Sequence, residues 1–220
     1  MKGFFTAKRL CRAGIIAALY VALTYAFGAL SYQGFVQIRP AEALCILPLF
    51  FPEAVPALYI GCMLANVASP FWIYDVFIGS LATLFAAVGT WLIGKFFRNN
   101  ASKIVLGGLF PVLLNAFVIP VVIVFLCGDL SYGTRTATYW ALVGSLAATE
   151  AIWVYALGVP LYFFVKHMRE KNIAAFSDLG NRRQKETKYR LKTQSPEGQL
   201  RAFRGIFPYK LSDFFLWART

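Results

Sequence analysis

Apolar residues along this chain gather into five long blocks, at 10–30, 41–69, 75–97, 103–127 and 137–165, separated by short charged or polar breaks. Crossing the hydrocarbon core of a bilayer takes about 20 residues as helix, so four of the blocks each predict one transmembrane span. The second is interrupted near its middle by Phe51-Pro52-Glu53-Ala54-Val55-Pro56. Proline withholds a helix hydrogen bond and disfavours helix in the residue before it. That block is either one kinked span or a tight pair of shorter ones. Positive charge decides between them. With six spans and the amino terminus inside, inner segments hold Lys2, Lys8, Arg9 and Arg12, then Lys95, Arg98 and Lys103, then Lys166, Arg169, Lys171 and the tail. Outer loops hold Arg39 and Arg135. Five spans would place the inner loop and the tail on opposite sides from the amino-terminal charges, against the short-loop lysine and arginine bias. The expected fold is an all-α membrane protein with six transmembrane helices and both termini cytoplasmic. Its second helix, 41–51, would be only about 16 Å long at α-helical rise. Short, proline-interrupted segments are tolerated where they line a protein-buried cavity rather than lipid.

Composition agrees with the pattern. Of the 220 residues 59% are hydrophobic and 15% charged, against about 45–50% and a quarter in soluble domains. That excludes an ordinary soluble domain. The net charge of +12 divides into +4 over 1–165 and +8 over 166–220. Basic excess can mark nucleic-acid binding, but here it flanks apolar segments and reports membrane orientation; no nucleic-acid partner is expected. Cys11, Cys45, Cys62 and Cys127 show no CxxC or Cys/His spacing and read as small buried hydrophobes. The first apolar block is too long for a signal-peptide core, so no cleavable leader is expected. Residues 178–199 are polar and charged without apolar period, as in a disordered cytoplasmic tail. Residues 202–218 mix aromatics with basic residues, either lying on the membrane surface or disordered. Two parts are expected: a six-helix substrate-binding domain at 1–172 and a basic tail at 173–220. No internal repeat is visible.

Ionisable groups inside a span are costly, about 2.5–3.5 kcal/mol each on insertion scales, and by default mark function. Glu150 falls near the midpoint of the last span and Asn115 near the midpoint of the fifth. Asn66 lies toward the outer end of the third span, Asp75 opens the fourth, and Arg39 and Glu42 border the short second one. Plainer readings exist for most. Asp75 suits a helix N-cap, with Trp72 and Tyr74 as an interface belt. Asn66 and Asn115 suit interhelical hydrogen bonds, and Arg39–Glu42 a local i,i+3 pair. Glu150 resists such an explanation, and Trp153 one turn on would supply an aromatic wall. The run Gly89-Thr-Trp-Leu-Ile-Gly-Lys-Phe has Phe96 where a phosphate-binding loop needs Ser or Thr, and it lies on a span. ATP hydrolysis by this chain is not expected. The single histidine, His167, has no paired ligand or nucleophile partner in view, so neither a metal site nor catalysis is expected. In the first span Ala13/Ala17, Gly14/Ala18, Ala18/Ala22 and Ala22/Ala26 repeat a small-xxx-small spacing. Such a strip lets another helix approach closely, either an external partner or a neighbour in the same bundle.

The run Arg39-Pro-Ala-Glu42-Ala-Leu, the region Gly61-Cys-Met-Leu-Ala-Asn66, the stretch Asp75-Val-Phe-Ile-Gly-Ser-Leu-Ala-Thr-Leu and the Glu150 helix resemble the QueT family over about residues 8–170. These are substrate-binding S components of energy-coupling factor (ECF) transporters. The resemblance implies a six-helix S component in the plasma membrane, without cofactor, metal or catalytic residues. It would capture a queuosine precursor, a 7-deazaguanine base, from outside. It would dock through its first helix, by way of Ala13, Gly14, Ala17 and Ala18, on a membrane T component coupled to two cytoplasmic ATPases. Toppling in the bilayer would deliver the substrate. A guanine-like edge places ring N–H and amino donors beside a carbonyl acceptor, and a carboxylate accepting two parallel hydrogen bonds complements the donors. Glu42 and Glu150 are the candidate carboxylates, with Asn66 or Asn115 for the carbonyl edge. Asp75 would pair with an aminomethyl cation, and Trp72, Tyr74 or Trp153 would stack on the ring. Arg39 would orient Glu42 or latch the 31–40 loop. The alternatives are an S component for another vitamin, a stand-alone carrier, and more remotely a membrane-embedded enzyme.

Overall fold

In the computed structural model, residues 6–32, 36–70, 72–128, 130–171, 173 and 176 are described. They contain helices and no strand. Met1–Met168 form one compact unit and Arg169–Thr220 another; of the latter only 169–171, 173 and 176 are described. The expected disordered tail, including 178–199 and 202–218, lies outside the described residues.

Helix α1, Ala7–Ala26, starts at Thr6, whose hydroxyl accepts the Arg9 amide at 3.4 Å and satisfies one orphan donor of the first turn. It buries a single stripe, Ile16, Tyr20 and Thr24, at a spacing of four. The rest of the second block divides as the prolines require. Pro40–Leu49 is a 3-10 helix, with Pro40 at its first position where no amide donor is needed. After the corner at Phe51 and Pro52, α2 runs from Ala54 to Asn66. Helix α3, Asp75–Phe96, begins with a π-helical turn over Asp75–Gly79. Helix α4, Asn100–Leu126, contains Pro111 and Pro120 and ends in a second π turn, Val122–Leu126. Helix α5, Arg135–Ala156, is capped by Thr134, and after a break at Leu157 the chain continues as α6, Gly158–Glu170.

Among the described residues, four stretches are long and apolar enough to cross a membrane: Ala7–Ala26, Asp75–Phe96, Asn100–Leu126 and Arg135–Glu170. Pro40–Leu49 and Ala54–Asn66 are shorter apolar helices. The protein is a multi-pass helical membrane protein. The short second helix differs in kind from the α-helix assumed for its length. A 3-10 helix rises about 2.0 Å per residue, so ten residues reach about 20 Å rather than about 15 Å. Runs of this length are uncommon because the hydrogen-bond geometry is poorer. Here packing supplies the difference: Pro40 to Pro48 are all buried, and the segment touches α1, α2, α3, α4 and α5. It is the axis of the bundle.

Two close approaches fix the neighbours around it. A Cβ on Gly61 of α2 would lie 3.0 Å from Tyr20 Cβ and 3.1 Å from the Ala17 carbonyl, so glycine lets α1 and α2 meet at backbone distance. A Cβ on Gly94 of α3 would lie 2.8 Å from the Leu49 carbonyl, at the far end of the 3-10 helix. Between α4 and α5, Ala116, Ile119, Ile123, Leu142 and Leu146 interdigitate as a buried cluster.

Candidate functional site

The axial 3-10 helix carries Arg39 and Glu42 into the middle of the bundle. Glu42 is fully buried and Arg39 nearly so. The Arg39 Nε lies 3.9 Å from Glu42 Oε1, an ion-pair distance without a hydrogen bond. One Arg39 amino group donates to Asn66 Oδ1 at 3.0 Å. Asn66 in turn donates to the Asp75 carbonyl at 2.8 Å and contacts Cys62 Sγ at 3.4 Å. That carbonyl opens the π turn of α3, where the wider winding turns it toward α2. The Asp75 carboxylate accepts from Ser69 through Oδ2.

Glu42 is gripped from two sides. Tyr20 of α1, with no exposed surface, donates its phenol to Oε1 at 2.6 Å, and the Cys45 thiol donates to Oε2 at 3.3 Å. Across the bundle, Asn115 of α4 donates to Glu150 Oε1 of α5 at 3.2 Å, and both residues are buried. Glu42 and Arg39 lie within electrostatic reach of Glu150. Polar side chains at the start of the 3-10 helix and on α1, α2, α3, α4 and α5 are thus hydrogen-bonded within the bundle. Buried atoms without a hydrogen-bond partner among the described residues include Asp75 Oδ1, Glu150 Oε2 and Arg39 Nε of these groups, together with Gln37 Oε1 and Ser80 Oγ.

Arg39, Glu42 and Asn66 form one connected chain that reaches the backbone of Asp75, while Asn115 and Glu150 form a second, buried pair. Trp153 is half-buried and its ring leans on Phe27 at 6.4 Å between centroids. Trp72 opens a helical turn, but its side chain lies outside the described structure. The first-helix strip divides in two. Ala17 backs onto Gly61 inside the bundle, whereas Gly14, Ala18 and Ala22 are exposed.

Sequence reasoning missed Tyr20, Cys45 and Cys62, since a tyrosine in an alanine-rich span carries no charge to draw notice. It also passed over Glu53, which is buried at the corner before α2. Glu53 accepts from Arg12 of α1, lies 4.0 Å from Arg9, and sits where the Arg12 guanidinium stacks 4.1 Å over the Phe51 ring. At the opposite end, the Tyr32 phenol donates to the Ala65 carbonyl. Burial pushes its pKa up to about 12, so it stays protonated as a donor.

The family profile described as QueT transporter matches residues 10–167. A curated relative, the queuosine precursor transporter QueT of Lactococcus lactis subsp. cremoris (strain MG1363), is 42% identical over 85 residues, covering 37% of this chain and 49% of that protein. The chain thus spans about half the length of that relative in the match. No solved structure matches.

Proposed function

The chain belongs to the QueT transporter family, and from that premise we propose that it captures a 7-deazaguanine base, a queuosine precursor, and passes it across the membrane. The observation that carries this is the surplus of buried acceptors. Gln37 Oε1, Asp75 Oδ1 and Glu150 Oε2 lack a protein donor, while Arg39 Nε is the complementary donor without an acceptor. A buried polar atom left unsatisfied costs about 1–3 kcal/mol, and more for a charged group. The ligand that relieves this arrangement is rich in N–H groups and carries a carbonyl. The guanine edge has that character: ring N–H and amino donors beside one oxo group.

One open oxygen points to the substituent. Asp75 Oδ1 is buried and has no hydrogen-bond partner among the described residues. A ligand bearing an aminomethyl cation would supply a donor there. Such charge-assisted hydrogen bonds are about twice as strong as neutral ones. Trp72, Tyr74 and Trp153 remain the candidates for stacking on the ring.

The chain acts in this reading as the S component of an ECF importer, with a membrane T component and two ATPases supplying the energy, and it performs no catalysis itself. The exposed small residues Gly14, Ala18 and Ala22 support a close helical partner at α1. Isothermal titration of the purified protein with 7-aminomethyl-7-deazaguanine tests the capture step. The expected result is saturable 1:1 binding that Glu150→Ala weakens at least tenfold, the scale of a lost charged hydrogen bond. Absence of binding by the wild-type protein would overturn the substrate assignment.

A further inference from the structure

We infer that the two buried glutamates divide the work: Glu150 touches the base, whereas Glu42, held by Tyr20 and Cys45, is a positioning residue that aims Arg39. This rests on the proposed capture of a 7-deazaguanine. The two carboxylates differ in what already occupies them. Both Glu42 oxygens accept from within the protein, Oε1 from Tyr20 at 2.6 Å and Oε2 from Cys45 at 3.3 Å. No surface of Glu42 is exposed. Beyond these two donors, the Arg39 guanidinium lies 3.9 Å away at ion-pair distance.

Glu150 is built the opposite way. Asn115 fixes Oε1 at 3.2 Å, and Oε2 has no hydrogen-bond partner among the described residues. One oxygen is oriented and the other offered. A carboxylate so arranged is poised for a donor that the protein does not supply. The free Arg39 Nε is the matching donor for the carbonyl of the same ligand.

Tyr20 is the residue this division adds to the site. It is fully buried, and Gly61 is the position that lets it reach across. Its hydroxyl fixes the Glu42 oxygen nearest Arg39. Its effect on the ligand runs through Glu42 and Arg39 rather than by contact.

Two measurements test the assignment. The first needs no ligand: thermal unfolding of the purified protein in detergent. Glu42→Gln and Tyr20→Phe are expected to lower the midpoint, because each breaks a satisfied buried network. Glu150→Gln is expected to leave it unchanged or raise it, as residues held ready for a ligand do not serve stability. A fall with Glu150→Gln as large as that with Glu42→Gln overturns the division. The second compares titrations with 7-deazaguanine and 7-deazahypoxanthine, which lacks the exocyclic amino group. The wild type is expected to prefer the former about tenfold or more, and Glu150→Gln to bring the two within about twofold. Glu42→Gln and Tyr20→Phe are expected to weaken both ligands by about tenfold and keep the preference. Loss of the preference in Glu42→Gln and its survival in Glu150→Gln would reverse the roles. Unchanged affinities in Tyr20→Phe would remove Tyr20 from the site. If the wild type binds neither base, the substrate reading falls while the unfolding series still decides between the two carboxylates.

Discussion

Asn66 shows how much one amide can hold. It accepts from Arg39, donates to the Asp75 carbonyl and touches Cys62, thereby tying α2 to the 3-10 helix and to the first turn of α3. Asn66→Ala leaves a guanidinium amino group and a carbonyl without these partners in a buried place. The expected cost is about 1–3 kcal/mol, read as a lower midpoint of thermal unfolding. Asn66→Asp keeps an acceptor for Arg39 but sets a carboxylate oxygen against the Asp75 carbonyl, so it should not restore the lost stability. At this scale the sequence revealed residue types but not pairings. Asn115 and Glu150 are conspicuous because polar groups are rare within apolar blocks, yet nothing in their spacing of 35 residues says that they meet. Tyr20 and Glu42 lie 22 apart, and a phenol among alanines gives no signal before the helices are packed. Glu53 reads as part of a proline break and turns out to be an ion-pair partner for α1.

Among the elements, the 3-10 helix is the part whose existence was legible and whose winding was not. Two prolines and a change of hydropathy mark its ends, but winding is decided by the contacts around it, and those come from five other helices. Its far end is sensitive to crowding. A Cβ at position 94 would sit 2.8 Å from the Leu49 carbonyl and 2.9 Å from its Cα, both backbone atoms that cannot swing aside. Gly94→Ala is therefore expected to push α3 away and destabilise the protein by about 1–3 kcal/mol. Gly144 in α5 offers the control, since a Cβ there meets nothing within 4 Å. Gly144→Ala should be neutral or stabilising by up to about 1 kcal/mol through helix propensity. Chemical denaturation of both variants separates the two outcomes. Equal behaviour would mean that the contact with Leu49 is soft.

For the molecule as a whole, hydropathy and charge bias were sufficient to read a multi-pass helical protein, because bilayer thickness imposes a length that few other constraints mimic. Which face of α1 is free was not readable, since alanine suits both a packed and an exposed position. The structure separates Ala17, backed onto Gly61, from Gly14 and Ala18 on the outside. Gly14→Trp and Ala18→Trp are thus the clean tests of a partner at this surface. Titration should show ligand affinity unchanged, while co-purification with the proposed T component and the proposed ATP-dependent uptake into liposomes should be lost. Intact uptake in both variants would place any partner elsewhere. The attachment of α1 has a mechanical consequence. It is fastened to the rest at three heights: Arg12 to Glu53, Tyr20 to Glu42, and Tyr25 to the Leu64 carbonyl. A rod pinned at three levels resists turning or sliding on its own, so α1 and the segments it is fastened to, the 3-10 helix and α2, are expected to move as one piece.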